Sequence, residues 1–289
     1  MKNFNNRLGF IWLDGRFVKW NQAKLHVLSH GLHYASCVFE GARVYNGKIF
    51  KLNEHTKRLF FSSKTLGFKL PYRENVINKA CEEIVKRQKI QNGYLRPFAW
   101  RGSEMMAISA QNTTIHVAIA TWEMSTYFDK KKKFKGIKLQ TSKWMRPPSN
   151  TAPTQAKAAG LYMICTLIKH NAEKNGFDDS LMLDSKGYVA ESTGANIFFV
   201  KNNKLYTPIA DCFLNGITRQ TVINLAKKNK IHVTEKRVSP NELLTADEIF
   251  LTGTAVEITP ISQIDKKKFK VGEITQKLIM LFSSLVEND

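Results

Sequence analysis

The sequence predicts an α+β chain of two domains, and three observations carry that prediction. The turn dipeptides Asp14-Gly15 and Asn46-Gly47 stand between short apolar runs, which is the pattern of β-hairpins. Segments with helical spacing are set apart from those hairpins, which argues for α+β packing over a doubly wound sheet. Neither GxGxxG nor GxxxxGK[ST] occurs, so the dinucleotide and nucleotide loop fingerprints are absent. A length of 289 residues accommodates two domains.

The elements follow in order. Phe10–Leu13 and Arg16–Lys19 read as strands joined at Asp14-Gly15. Val38–Tyr45 and Lys48–Leu52 read as a second hairpin across Asn46-Gly47. Asn53 is placed to cap a helix over Glu54–Leu66. Glu74–Gln88 has apolar residues at helical spacing, at Val76, Ile77, Ala80, Ile84 and Val85. Tyr94–Arg101 and Thr114–Trp122 read as strands. The polar, lysine-rich stretch after Met124 marks an interdomain linker, which divides the chain into domains over 1–124 and 137–289 with the linker at 125–136. Beyond it, strands are expected at Ile137–Thr141, Ser180–Leu183, Ile197–Val200 and Glu248–Thr252. Helices are expected over Lys157–Asn175, ending at Gly176, and Thr218–Lys228.

Composition narrows the function classes. No run of 18 apolar residues appears, so no membrane span is expected, and the first residues lack the apolar core of a signal peptide. Cys37, Cys81, Cys165 and Cys212 are far apart without CxxC pairing, which fits free thiols in a reducing cytoplasm. A net charge of +20 raises nucleic acid as a partner. The densest runs, Lys130–Lys135 and Lys266–Lys270, are lysine rather than arginine and lie beside loops, so they read as solvated. His26, His30 and His33 have helical spacing, but no nearby Cys or carboxylate completes a metal set and Gly31 interrupts the helix; no metal is expected.

One lysine stands apart. Lys157 lies in Asn150-Thr-Ala-Pro-Thr-Gln-Ala-Lys-Ala-Ala-Gly-Leu-Tyr162, walled by small residues. Desolvation there would lower its pKa and make the amine a nucleophile toward carbonyl groups. Taken alone, the stretch reads more readily as a surface lysine at a helix start. An aldehyde cofactor such as pyridoxal phosphate would make further demands: a carboxylate for its ring nitrogen, N–H groups and a cation for its phosphate, and a donor for its phenolic oxygen. Glu191 lies in a small-residue context within Gly187–Phe198. Leu214-Asn-Gly-Ile-Thr-Arg219 leads into a helix, and Leu251-Thr-Gly-Thr-Ala-Val-Glu257 is a strand end running into a hydroxyl-rich turn. Each also has a plain reading: an exposed glutamate, a helix capped by Thr218, an ordinary turn.

The stretches His30–Arg43, His55-Thr-Lys-Arg-Leu59, Tyr94-Leu-Arg-Pro97, Pro153–Gly160, Glu191–Phe198, Gly216–Arg219 and Gly253-Thr-Ala-Val-Glu257 match one family in order and spacing. The chain resembles the class IV pyridoxal-phosphate aminotransferases, most closely the branched-chain amino acid aminotransferases, from about Ile11 to about Leu285. The resemblance implies a fold type IV enzyme, with a small α/β domain and a larger β-barrel-like domain flanked by helices. It implies a homodimer and small-molecule amino acid and 2-oxo acid substrates. By the same resemblance, Lys157 holds the cofactor and moves the α-proton, Tyr162 donates to the phenolic oxygen, and Glu191 pairs with the ring nitrogen. Arg58, Gly216, Ile217, Thr218 and Thr254 take the phosphate. The N–H groups of Thr254 and Ala255 take the substrate carboxylate, and Tyr34, Phe39 and Tyr127 line the side-chain pocket. Accepting both an apolar side chain and the second carboxylate of glutamate calls for aromatic walls with a polar rim. Arg96, Tyr34 and Tyr94 are the rim candidates, assisted by Arg43.

Departures from the family fall at Met124, with Glu123 and Ser125, where many relatives carry Trp-Gly; at Ala195, where many carry Glu; and at Leu161, where many carry Asn. Within the same fold, a D-amino acid or (R)-amine aminotransferase and an aminodeoxychorismate lyase stand as alternatives.

Overall fold

A computed structural model describes residues 3–125, 127–128 and 135–288, and the chain divides into two compact units. Unit 1 comprises Met1–Ser125 with Ala156–Gly160, and unit 2 comprises Thr126–Gln155 with Leu161–Asp289. The chain thus passes from unit 2 into unit 1 for five residues and returns. The expected linker falls mostly on residues outside those described, as does most of the first lysine run.

Unit 1 is a sheet with two helices on one face. Strands β1 (Phe10–Leu13) and β2 (Arg16–Lys19) form the first hairpin, with Asp14 and Gly15 both at positive φ, as a tight two-residue turn demands. β6 (Gly93–Arg101) and β7 (Ile115–Glu123) pair along their full length. The expected strand Val38–Tyr45 is interrupted. β3 (Cys37–Phe39) and β4 (Ala42–Tyr45) pair with successive parts of β6 and leave Glu40-Gly41 between them. The break falls beside Pro97, which has no N–H to offer a ladder; its carbonyl instead accepts from Glu40 N–H at 2.7 Å. A Cβ at Gly41 would lie 1.8 Å from the Tyr94 hydroxyl, so only glycine passes there. β5 (Lys48–Ile49) completes the second hairpin.

Helix α1 (His30–His33) is a single turn, α2 spans Leu52–Thr65 and α3 spans Glu74–Arg87. The α2 start corrects the sequence expectation. Lys51, in the left-handed region, precedes the helix, and Asn53 lies inside it with its side-chain oxygen accepting from Asn78 Nδ2 of α3 at 2.7 Å. Interhelical pairing has taken the group that could have capped. Leu59, Ile77, Ile84 and Val85 of the helices pack on Val38, Val44, Leu95, Val117 and Ile119 of the sheet.

Unit 2 is built on a closed ring of strands. β8 (Ile137–Thr141), β9 (Asp179–Leu183), β10 (Val189–Ser192), β11 (Asn196–Lys201), β14 (Glu248–Gly253) and β15 (Glu257–Ile264) form it, and the β10–β11 pairing closes it. β12 (Lys204–Pro208), β13 (Val233–Lys236) and β16 (Lys267–Lys268) extend the sheet off the ring. Ile137, Leu139, Leu181, Ile197, Phe199, Ile249, Leu251 and Ile261 form one apolar core. The alternating residues Phe198 and Phe250 stack on each other at 5.1 Å. Helices α4 (Met163–Lys174), α5 (Ile217–Lys228), the single turn α6 (Pro240–Leu243) and α7 (Glu273–Asn288) complete the unit, with α5 and α7 lying against β14. Among the described residues no helix is long and apolar enough to cross a membrane.

The expected helix from Lys157 starts late. A short 3-10 turn covers Ala159–Tyr162 and the α-helix begins at Met163. Lys157 lies in extended chain instead, because Ala158 bridges to Val38 and the Lys157 carbonyl accepts from Phe39 N–H at 3.1 Å. Replacing fully buried Leu59 by Ala should destabilise unit 1 by about 2–5 kcal/mol, measured by urea unfolding; a loss within about 0.5 kcal/mol of zero would contradict its packed position.

Candidate active site

In unit 1 the site is organised around Lys157. Its backbone is held on both sides: the carbonyl by Phe39, and the N–H by Ser62 Oγ on α2 at 2.9 Å. The Nζ lies 4.9 Å from the centre of the Phe39 ring. Burial, with help from the Arg58 and Arg96 guanidinium groups, pushes the Lys157 pKa down from 10.5 to about 8, while Glu40 and Tyr94 oppose the shift. The amine is therefore neutral in a large fraction of molecules near pH 8. This is the condition of a nucleophilic lysine and not of a solvated surface one.

Arg58 and Glu40, both of which act on the Lys157 charge, form a bidentate ion pair. Arg58 Nε donates to Glu40 Oε1 at 2.6 Å and Nη2 to Oε2 at 2.9 Å. His55 Nδ1 donates to the same Oε2 at 2.6 Å. Complete burial pushes the Glu40 pKa up, but Arg58 and His55 together outweigh it and hold the carboxyl far below the usual carboxylate range. Burial in turn lowers the His55 pKa, so the ring is neutral at neutral pH and carries its proton on Nδ1.

The predicted substrate residues separate into two sets. Phe39, Tyr94 and Arg96 come together: Arg96 stacks over Phe39 at 4.7 Å and over Tyr94 at 5.3 Å, and its Nη2 reaches the Tyr94 hydroxyl at 3.5 Å. The Arg96 Nε is buried without a hydrogen-bond partner among the described residues. Arg43 is turned elsewhere, donating to Ser125 O at 3.0 Å and lying over Tyr45. Tyr34 is exposed and stacks on His30 at 4.5 Å. Tyr127, in unit 2, is exposed and packs edge-on against Phe128. The three histidines do not converge: His30 bonds Ser36 and Ala107 O, His33 reaches Val27 O, and His26 Nδ1 accepts from Leu28 N–H.

In unit 2 Glu191 is buried in β10, directly across the closing pair from Asn196 of β11. Asn196 Nδ2 donates to Glu191 Oε2 at 3.2 Å and to Leu214 O at 3.0 Å, and its Oδ1 accepts from Gly216 N–H at 3.2 Å. One amide thus ties the carboxylate to the loop before α5. A Cβ at Gly216 would lie 2.3 Å from that Oδ1, which requires glycine. Gly216, not Thr218, occupies the N-cap position, and Ile217 and Thr218 open the helix, where backbone N–H groups lack intrahelical partners and favour an anion. Arg146 Nε lies 3.4 Å from Glu191 Oε1 as an ion pair, outside hydrogen-bond geometry. Thr254 and Ala255 form the turn between β14 and β15. Buried Thr252 Oγ1 and Ser192 Oγ have no partner among the described residues. Tyr162 ends the 3-10 turn and packs beside Cys165, Ile168 and Met182.

A lysine with a depressed pKa, a buried carboxylate and a helix N-terminus behind a glycine are the parts that an aldehyde-phosphate cofactor requires. The amino-transferase class IV family model matches residues 37–264. The branched-chain-amino-acid aminotransferase of Pseudomonas aeruginosa is 40% identical over 288 residues, covering 97% of this chain and 94% of that one. The chain belongs to the class IV amino-transferases, among the branched-chain-amino-acid aminotransferases. The crystal structure of the Escherichia coli branched-chain amino acid aminotransferase matches at 34% identity and a TM-score of 0.95, over 98% of this chain and 96% of that one. The branched-chain amino acid aminotransferase of Thermobaculum terrenum, crystallised in its PLP-bound holo form, matches at 30% identity and a TM-score of 0.89, over 97% of this chain and 94% of that one.

The sequence reading of this aminotransferase missed Glu40, His55, Arg146 and Asn196. Two left a signal. Glu40 is a carboxylate directly after the apolar run Val38-Phe39, and His55 lies three residues before Arg58, on the same helical face. Of the departures from the family, Ala195 is buried in the barrel core, and the Leu161 carbonyl accepts from Arg146 Nη1 and Cys165 Sγ. Met124 directly follows β7, its N–H bonded to Asn92 O. Reductive methylation of the cofactor-free chain by formaldehyde, followed by mass spectrometry against pH, should show Lys157 reacting with a midpoint near 8, because the amine loses its proton there. A midpoint near the ordinary 10.5 would overturn the depressed pKa.

Proposed function

We infer that this chain transfers the amino group of L-leucine, L-isoleucine or L-valine to 2-oxoglutarate, reversibly, in two half-reactions that share pyridoxal 5'-phosphate. Bound at Lys157, the cofactor supplies an electron sink that acidifies the α-proton of the amino acid. The residues present fit it: a lysine whose pKa is lowered to about 8, a buried carboxylate that accepts from Asn196 and pairs with Arg146, and a glycine-preceded helix N-terminus. The single observation that carries the reading is the 40% identity, over 97% of this chain, to a branched-chain-amino-acid aminotransferase.

The roles follow from the chemistry of each group. Lys157 holds the cofactor and, once released by the incoming amino acid, carries the α-proton between its two positions as general base and acid. Glu191 would accept a hydrogen bond from the protonated ring nitrogen and keep it protonated, and Asn196 holds that carboxylate in place. Tyr162 donates to the phenolic oxygen. Arg58, with the N–H groups of Ile217 and Thr218 and with Thr254, takes the phosphate, and Gly216, its N–H held by Asn196, leads the chain into that helix. The N–H groups of Thr254 and Ala255 take the α-carboxylate.

Phe39 offers an apolar wall to a branched side chain, and the unpartnered Arg96 Nε beside Tyr94 suits the second carboxylate of glutamate. The family resemblance adds Tyr34 and Tyr127 as substrate contacts, while Arg43 is engaged with Ser125 and Tyr45. The exposed apolar loop of Leu25, Val27, Leu28, Leu32 and Tyr34 supports a homodimer, and four free cysteines, three of them buried, support work in a reducing cytoplasm.

Lys157→Ala should lose the yellow absorbance of the lysine-bound cofactor and the half-reaction with L-leucine; turnover at the unaltered rate would refute the assignment. Glu191→Gln should slow the half-reaction roughly 200-fold, the equivalent of about 3 kcal/mol of transition-state stabilisation, and an unchanged rate would remove Glu191 from the mechanism. Stopped-flow half-reactions separate the same-fold alternatives: L-leucine should bleach the bound cofactor and D-alanine should not. The reverse result would assign a D-amino acid aminotransferase.

A further inference from the structure

We infer that Glu40 is a positioning residue for Arg58: its buried carboxylate fixes the guanidinium in the orientation from which Arg58 takes the cofactor phosphate. This rests on the reading of Arg58 given above and adds to it a residue outside the phosphate-binding set.

Glu40 stands in the gap between β3 and β4, where the backbone turns out of the ladder beside Pro97. Its side chain is completely buried. Four hydrogen bonds converge on its carboxylate. Oε1 accepts from Arg58 Nε, while Oε2 accepts from Arg58 Nη2, from His55 Nδ1 and from Gly41 N–H at 3.2 Å. Two parallel N–H bonds to one carboxylate define the plane of a guanidinium, not merely its distance.

His55 and Ser62 extend the device along α2. His55 precedes Arg58 by three residues and Ser62 follows it by four, so all three lie along one helical face. His55 anchors the carboxylate, Arg58 is oriented by it, and Ser62 accepts from the Lys157 N–H. Arg58 itself and the group that holds the backbone of Lys157 therefore stand on the same helix. A buried ion pair is weak evidence for stability, since apolar side chains of similar volume often serve as well. A charged pair locked in plane next to Lys157 answers a need for orientation. Its negative charge also opposes the effect of Arg58 on the Lys157 amine.

The test titrates the cofactor-free full-length chain with pyridoxal phosphate and with pyridoxal, which lacks the phosphate. The readout is the ratio of the two dissociation constants. Glu40→Gln should reduce the preference for pyridoxal phosphate over pyridoxal by about tenfold or more, because the effect of the lost charge on Lys157 is common to both ligands and cancels in the ratio. Arg58→Gln should lose at least as much, and the double variant no more than Arg58→Gln alone, because the two act as a unit. A full preference in Arg58→Gln would refute the role of Arg58 itself. A lost preference in Arg58→Gln with a wild-type preference in Glu40→Gln would overturn the inference alone. Equal weakening of both ligands in Glu40→Gln would mark a purely structural residue and also overturn it. If Glu40→Gln does not fold, Glu40→Asp keeps the charge and withdraws the oxygens by one methylene. The same loss of preference is expected there, and a wild-type ratio would again overturn the inference.

Discussion

The structure depends on a short stretch of strand pairing in an unusual place: the bridge between Val38 and Ala158, with the Phe39 N–H bonded to the Lys157 carbonyl. That contact brings Ala156–Gly160 into unit 1 although the chain on both sides belongs to unit 2. Backbone hydrogen bonds contribute only about 1 kcal/mol each, but here they fix the direction of a side chain as well as its place. An extended residue bonded at its N–H and its carbonyl has little freedom to turn its side chain away. Lys157 is therefore held among Phe39, Arg58, Tyr94 and Arg96, where a lysine on a solvated helix start would have swung into water.

The charge of that lysine is a balance. Burial and two guanidinium groups push its pKa down, and a carboxylate and a phenol oppose them. Lowering a pKa by one corresponds to about 1.4 kcal/mol between the two protonation states, so unopposed arginines would press the amine further from its ordinary value. Glu40 limits that displacement and at the same time pairs with the partly buried Arg58 guanidinium.

Unit 2 solves a different problem with the same economy. Closing the barrel through β10 and β11 places Glu191 opposite Asn196 in register, and Asn196 reaches on to Leu214 and Gly216. The orientation of the carboxylate and the start of α5 are set by one amide. Gly216 is required by contact with that amide, since its φ is an ordinary negative one that any residue adopts.

The hairpins at Asp14-Gly15 and Asn46-Gly47, the strands Phe10–Leu13 and Ile137–Thr141, and helix α3 were legible in the sequence, because local turn chemistry and periodicity act over a few residues. Lys157, Arg58 and Glu191 stand out in the sequence as candidates, because each sits in a stretch whose order and spacing match one family. The start of α2 was not, because Asn53 is drawn to Asn78 of another helix. The split between β3 and β4 depends on Pro97, far along the chain. Lys157 looked helical because its neighbours are small. Its extended conformation is imposed by Phe39 and Ser62, both distant in the chain. Residue identity and order alone settle which groups are chemically equipped to act. Folding settles that Lys157 is poised, that Arg58 is held in plane by Glu40 and that Glu191 is tied to the helix-opening loop. Desolvation and hydrogen-bond direction are properties of surroundings, and those surroundings are assembled from residues far apart in the chain.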